Sequence, residues 1–210
     1  MKVTIFGATG ATGKLLVEQA LDAGNDVAAY ARDASRLGMT HERLTVVQGE
    51  LADASSIERA VSGADAVISV LDPRVGAKEK PITQGTRNVL AAMKTAGVRR
   101  LIVSSTASAT DPNDLPDLRI KALVSLVRLT MPAVYHDIVS AAQAVRASDR
   151  DWTIVRLIML SNGPSSGKVR VGYAGRGGVG LRIARADVAR FMLNQVRDST
   201  YLRQAPLITN

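Results

Sequence analysis

Gly7, Gly10 and Gly13 recur every third residue in the run Gly7-Ala8-Thr9-Gly10-Ala11-Thr12-Gly13. A run of this kind between a strand and a helix lets backbone N–H groups approach a diphosphate and aims a helix N-terminus at it. Gly7 permits the tight turn, Gly10 the close approach of the anion, and Gly13 the packing of helix on strand. Ala11 contributes its N–H, and Thr9 and Thr12 add hydroxyl donors. The spacing is G-x-x-G-x-x-G, a variant of the dinucleotide fingerprint, and it reads as a dinucleotide-binding loop. The bland alternative is a glycine-rich turn that binds nothing.

The end of the second strand decides which dinucleotide. A carboxylate there would hold the adenosine ribose of NAD, whereas arginine accommodates the 2′-phosphate of NADP. The strand runs out through Tyr30-Ala31-Arg32-Asp33-Ala34-Ser35-Arg36. Arg32, Ser35 and Arg36 can surround a phosphate, so the cofactor expected is NADPH (NADP). Two other readings stand beside it: Asp33 gripping the ribose of NAD, or a solvated turn in which Asp33 pairs with an arginine.

The elements that must position these residues alternate. Strands are predicted over Lys2–Phe6, Asp26–Ala31, Leu44–Gln48, Ala64–Leu71, Arg100–Ser104 and Trp152–Leu157. Helices are predicted over Lys14–Ala23, Ser55–Val61 (capped by Asp53), Ile82–Ala96, Leu118–Met131, Ala133–Ala147 and Arg185–Arg197. Lys168–Tyr173 is strand-like, and Pro206–Thr209 reads as a short edge strand. This pattern predicts an α/β fold with a Rossmann-type doubly wound parallel sheet. It forms one domain over 1–210, with a cofactor-binding half (1–107) and a small C-terminal substrate lobe (108–210).

Composition narrows the function. The chain has 210 residues, no cysteine, two histidines and a net charge of +8. Disulfides, thiol nucleophiles and a histidine-rich metal site are excluded. Most of the basic excess falls after Gly167, where it suits an anionic small molecule. With only 3% aromatic residues and no DNA-binding motif, nucleic acid is not expected as a partner. No membrane span or signal peptide is read, which makes cytoplasmic the expected location and leaves no membrane expected as a partner.

IFGATGATG, RDASRL, AVISVL, QGTRNVLAAMKTAGVRRLIVSST, WTIVR and RADVARFM, in this order, resemble the NmrA-like atypical short-chain dehydrogenase/reductase family. Within it, the chain is similar to the NADPH-dependent flavin and biliverdin-IXβ reductases. The resemblance implies that Glu50 and Leu51 seat the adenine and that Val70 and Leu71 flank the cofactor. It places Ser104 and Ser105 near the nicotinamide ribose, and Thr106 at the catalytic hydroxyl. The biliverdin-IXβ reductases carry a histidine just after the sixth strand, and the resemblance sets Met159 at that position. Tyr135 lacks the lysine four residues on that would lower its pKa, so it stands as a substrate-orienting hydroxyl or as a packing residue.

A reaction needing hydride and little protein acid therefore fits best: reduction of FMN, FAD or a similar planar, anionic quinone- or tetrapyrrole-like acceptor by a monomer or homodimer. The alternative is a non-catalytic NADP(H) sensor. Gly163–Gly180 is read either as a mobile lid or as a loose surface hairpin. Asp187 is expected to cap or pair, and Met131, Met159 and Met192 to fill core.

Overall fold

The computed structural model describes residues 1–72 and 81–210. Its first half alternates β1 (Lys2–Phe6), α1 (Ala11–Asp22), β2 (Asp26–Ala31), β3 (Leu44–Gln48), α2 (Ala54–Val61), β4 (Ala66–Ser69), α3 (Pro81–Thr95) and β5 (Arg100–Thr106). Two helices follow, α4 (Leu118–Thr130) and α5 (Pro132–Arg146), and then β6 (Asp151–Leu157) and β7 (Met159–Ser161). The chain ends through β8 (Arg170–Gly172), β9 (Arg182–Ala184), α6 (Arg185–Asn194) and β10 (Leu207–Thr209).

The main sheet runs β3-β2-β1-β4-β5-β6-β10-β8, and β7 pairs with β9 in a separate ribbon. Every pair in the main sheet is parallel except β8 on β10. The order reverses between β1 and β4, and a crevice opens there at the C-terminal ends of the strands. Burial on both faces explains why the stretch around β4 reads as almost continuously apolar. Val3, Ile5 and Ile68 pack on one face with Leu16 of α1 and Val188 of α6. Phe6, Val67 and Leu101 pack on the other with Ile57 of α2 and Val89 of α3.

Several expectations are corrected. The first helix starts at Ala11, not Lys14, so Ala11–Gly13 form its first turn. The fourth strand is four residues, Ala66–Ser69; Val70 and Leu71 lie in the crevice beyond its end. The last strand is not an edge, because β8 turns back antiparallel and covers it. Lys168–Tyr173 shortens to Arg170–Gly172, and β7 and β9, three residues each, carry too short a period to be read. Met192 is core, but Met131 and Met159 are exposed.

The C-terminal lobe is pinned by two buried charges. Arg156 of β6 is fully buried and grips Asp114 with two bonds of 2.6 and 2.7 Å. Burial opposes the Asp114 charge, but Arg156 wins and lowers its pKa. Asp187 of α6 accepts from Ser165 Oγ, the Ser166 N–H and Asn210 Nδ2. This anchors the start of the glycine-rich Gly163–Gly180 stretch, and Gly175, at φ +69°, lies too close to Leu115 for a side chain. The stretch is thus neither a loose hairpin nor a free flap at these two points.

Candidate active site

The glycine loop closes the crevice from below. A Cβ on Gly13 would stand 2.1 Å from the Gly7 carbonyl oxygen, and one on Gly7, at φ +81°, 2.5 Å from that of Val70. Neither position admits a side chain. At Gly10 a Cβ would meet the Gly7 oxygen at 3.3 Å and then only Asp72 Oδ2 at 3.8 Å, so this backbone faces open space. Gly10 caps α1 without a side-chain acceptor, and the first turn holds no acid. The N–H groups of Ala11, Thr12 and Gly13 are therefore left for an anion, with Thr9 and Thr12 half-buried beside them. These residues fit a dinucleotide diphosphate.

Beyond β2, Ala34–Arg36 form a single 3-10 turn. Arg32 just before this turn and Arg36 within it are both exposed, and none of the salt bridges among the described residues takes either one. Asp33 caps the turn, accepting the Ser35 N–H at 3.0 Å and the Ser35 hydroxyl at 2.6 Å. Ser35 is thus held by Asp33, and both arginines are left outward. Lys14, which the sequence reading did not single out, brings Nζ to 3.9 Å from a Cβ built on Gly38. Its signal was its place directly after Gly13, on the helix face toward this turn.

On the adenine side, Tyr30 donates its hydroxyl to the Glu50 carbonyl at 2.7 Å. Asn88 of α3 donates to the Leu51 carbonyl, also at 2.7 Å. The Leu51 side chain lies against Gly85, where a Cβ would be 2.9 Å away. Glu50 is exposed and Leu51 half-buried, so this loop is a fixed shelf.

Over the C-terminal ends of β4, β5 and β6 lies a cleft of about 100 Å³. Ser104, Ser105 and Thr106 line it together with Leu71, Asp72, Ile138, Leu157, Ile158 and Leu160. Val70 lies buried beside Gly7. The Thr106 oxygen accepts the Ser108 N–H at 3.2 Å, which orients the hydroxyl. Tyr135 is not in this lining: its ring packs edge-on to His136, with the Arg128 guanidinium 5.9 Å from its centre. Met159 begins β7 outside the lining. A larger groove of about 360 Å³, between Asn25 and Arg197, lies at the opposite end of the strands and holds none of the predicted site residues.

Asp72 is a second residue the sequence reading missed, hidden behind the apolar strand it follows. It is the one titratable group in the cleft lining among the described residues. Desolvation of its carboxyl pushes it above the usual carboxylate range against the pull of Arg185.

A Rossmann crevice with a side-chain-free glycine cradle defines a nicotinamide-dinucleotide-binding protein, and comparison with known sequences agrees. The family model described as NAD(P)H-binding matches residues 7–199, and the chain belongs to that family.

Among curated proteins it is 31% identical over 197 residues to a 3-diazoavenalumate denitrifying reductase from a Streptomyces species, covering 87% of this chain and 62% of that one. It is 33% identical over 127 residues to cinnamoyl-CoA reductase 1 of Oryza sativa, covering 55% of this chain and 38% of that one. The chain thus spans less than two thirds of either relative. Among solved structures, a wide-type short-chain dehydrogenase/reductase from Veillonella parvula in complex with NADP has TM-score 0.81 and 22% identity, covering 100% and 94% of the two chains. The anaerobillin reductase ChuY of Escherichia coli O157:H7 has TM-score 0.79 and 22% identity, covering 100% and 97%. These two share the fold.

Proposed function

We propose that the protein is an NADPH-dependent reductase of a planar, anionic acceptor: a flavin such as FMN or FAD, or a quinone- or tetrapyrrole-like molecule. The observation that carries this reading is the cleft lining. Its walls are aliphatic, from Leu71, Ile138, Leu157, Ile158 and Leu160, and its polar groups are the three hydroxyls of Ser104, Ser105 and Thr106 with Asp72. Aliphatic walls suit a flat conjugated ring. When bound, NADPH supplies the hydride. Ser104 and Ser105 orient its ribose, Arg32 and Arg36 its 2′-phosphate, and Thr106 hydrogen-bonds the acceptor. Reductase names among the relatives support the reaction class, and the family model supports the cofactor.

The test mixes pure protein with NADPH and, in turn, FMN, FAD, quinones and linear tetrapyrroles, following loss of the reduced nicotinamide's near-ultraviolet absorbance. Turnover with one of them is expected, and Thr106→Val lowers kcat about tenfold while leaving NADPH affinity unchanged. Tight NADPH binding with no turnover on any acceptor would overturn the reading in favour of an NADP(H) sensor. The position of Tyr135 outside the cleft lining favours that second reading.

A further inference from the structure

Among the described residues, α4 is the helix whose apolar sequence and burial disagree most. Only Ile120 of its 13 residues is buried, whereas Leu118, Leu126 and Leu129 are 82%, 57% and 81% exposed. With Ala122, these leucines recur at i, i+4, i+8 and i+11, which is one continuous helical stripe. Arg119 flanks the stripe on one side and Lys121 and Arg128 on the other, all exposed. No acidic residue lies within α4; Asp117 caps it and pairs with Arg119 at 3.2 Å. Arg176 donates to Asn113 in the loop leading into the helix, adding a cation at that end.

We propose that α4 is a peripheral docking surface for an anionic lipid bilayer, with its leucine stripe entering the acyl boundary and its cations meeting the headgroups. Charge complementarity decides among occupants. A second copy packed by two-fold symmetry would set Arg119, Lys121 and Arg128 against themselves. A specific protein partner covers roughly 800 Å² and centres on aromatic anchors, and this stripe is four aliphatic residues with no groove.

The bilayer needs only buried aliphatic surface and flanking cations that can reach upward along their stems. No single helix among the described residues is long and apolar enough to cross a membrane, and α4 and α5 meet at a bend of 116°. With α5 packed on α3, α4 is left lying along the surface. Its inner face reaches the reductive cleft, because Ile120 and Val124 pack in one cluster with Ile158. Docking would therefore set the cleft beside the bilayer.

The experiment is flotation of the full-length protein with phosphatidylcholine vesicles, with or without about 30 mol% phosphatidylserine. Retention on the anionic vesicles alone is expected, lost at ~0.5 M NaCl. Leu126→Glu/Leu129→Glu should weaken it by at least about tenfold, while Leu202→Glu on a distant surface leaves it unchanged. The replaced residues are exposed, and an unaltered thermal melt confirms the fold. No retention would overturn the proposal. Retention indifferent to the leucine changes would overturn it too, assigning binding to the general basic charge. So would a dimer that Leu129→Glu splits, or an acidic protein that competes with vesicles for α4.

Discussion

The Asp33 carboxylate accepts both the N–H and the hydroxyl of Ser35, at 3.0 and 2.6 Å. It is spent on capping its own turn, which takes from it the task a carboxylate performs in NAD-binding folds and leaves Arg32 and Arg36 facing solvent. On the proposed reading, the two arginines at the end of β2 receive the doubly charged 2′-phosphate of NADPH. Arg32→Ala/Arg36→Ala should weaken NADPH binding by about 10- to 100-fold, since each charge-assisted pair is worth roughly 1.5–3 kcal/mol before screening. NADH binding should change less than about threefold. Isothermal titration checks both.

Asp137 of α5 holds the start of α3, accepting the N–H groups of Ile82 and Thr83 at 3.0 and 2.8 Å. The carboxylate is buried, so its removal strands two donors. Asp137→Ala is expected to cost about 2–3 kcal/mol, which lowers Tm by roughly 5–10 °C for a chain of this size. Differential scanning calorimetry reads it. Because Ile138, the next residue, lines the cleft, KM for the acceptor should rise as well.

Asp187 is one of the carboxylates that make stability fall in acid. Burial alone would raise its pKa, but hydrogen bonds from Ser165, Ser166 and Asn210 hold it at about 2. Its folded value lies below its unfolded one, so it stabilises at neutral pH and that stability is lost as pH falls through about 2. The shift corresponds to roughly 2 kcal/mol, lost between pH ~4 and ~2. Urea midpoints measured from pH ~6 down to ~3 should fall in the natural protein. Asp187→Asn should be weaker at neutral pH and show a shallower decline.

The cofactor half of this fold is legible in the sequence because each element carries its own signal. The glycine spacing needs no tertiary knowledge, and Gly24 and Gly97 end their helices locally at positive φ. The Asp53 cap, accepting the Ser56 N–H, is equally local. Legibility stops where long-range contacts decide. β10 becomes an interior strand only because Arg170–Gly172 returns to cover it. Asp72 and Lys14 join the site through the crossing of β4 and α1, which no spacing reveals. Leu118–Met131 reads as a helix, but its sequence does not show that only Ile120 within it packs inward among the described residues.

If Arg32 and Arg36 hold the 2′-phosphate, the crevice prefers NADPH to NADH. The direct measurement is the Kd of NADPH against that of NADH for the natural protein at one ionic strength. NADPH should bind tighter by at least about tenfold, with the gap closing in Arg32→Ala/Arg36→Ala. Equal affinity for the two, or tighter NADH binding, would contradict it.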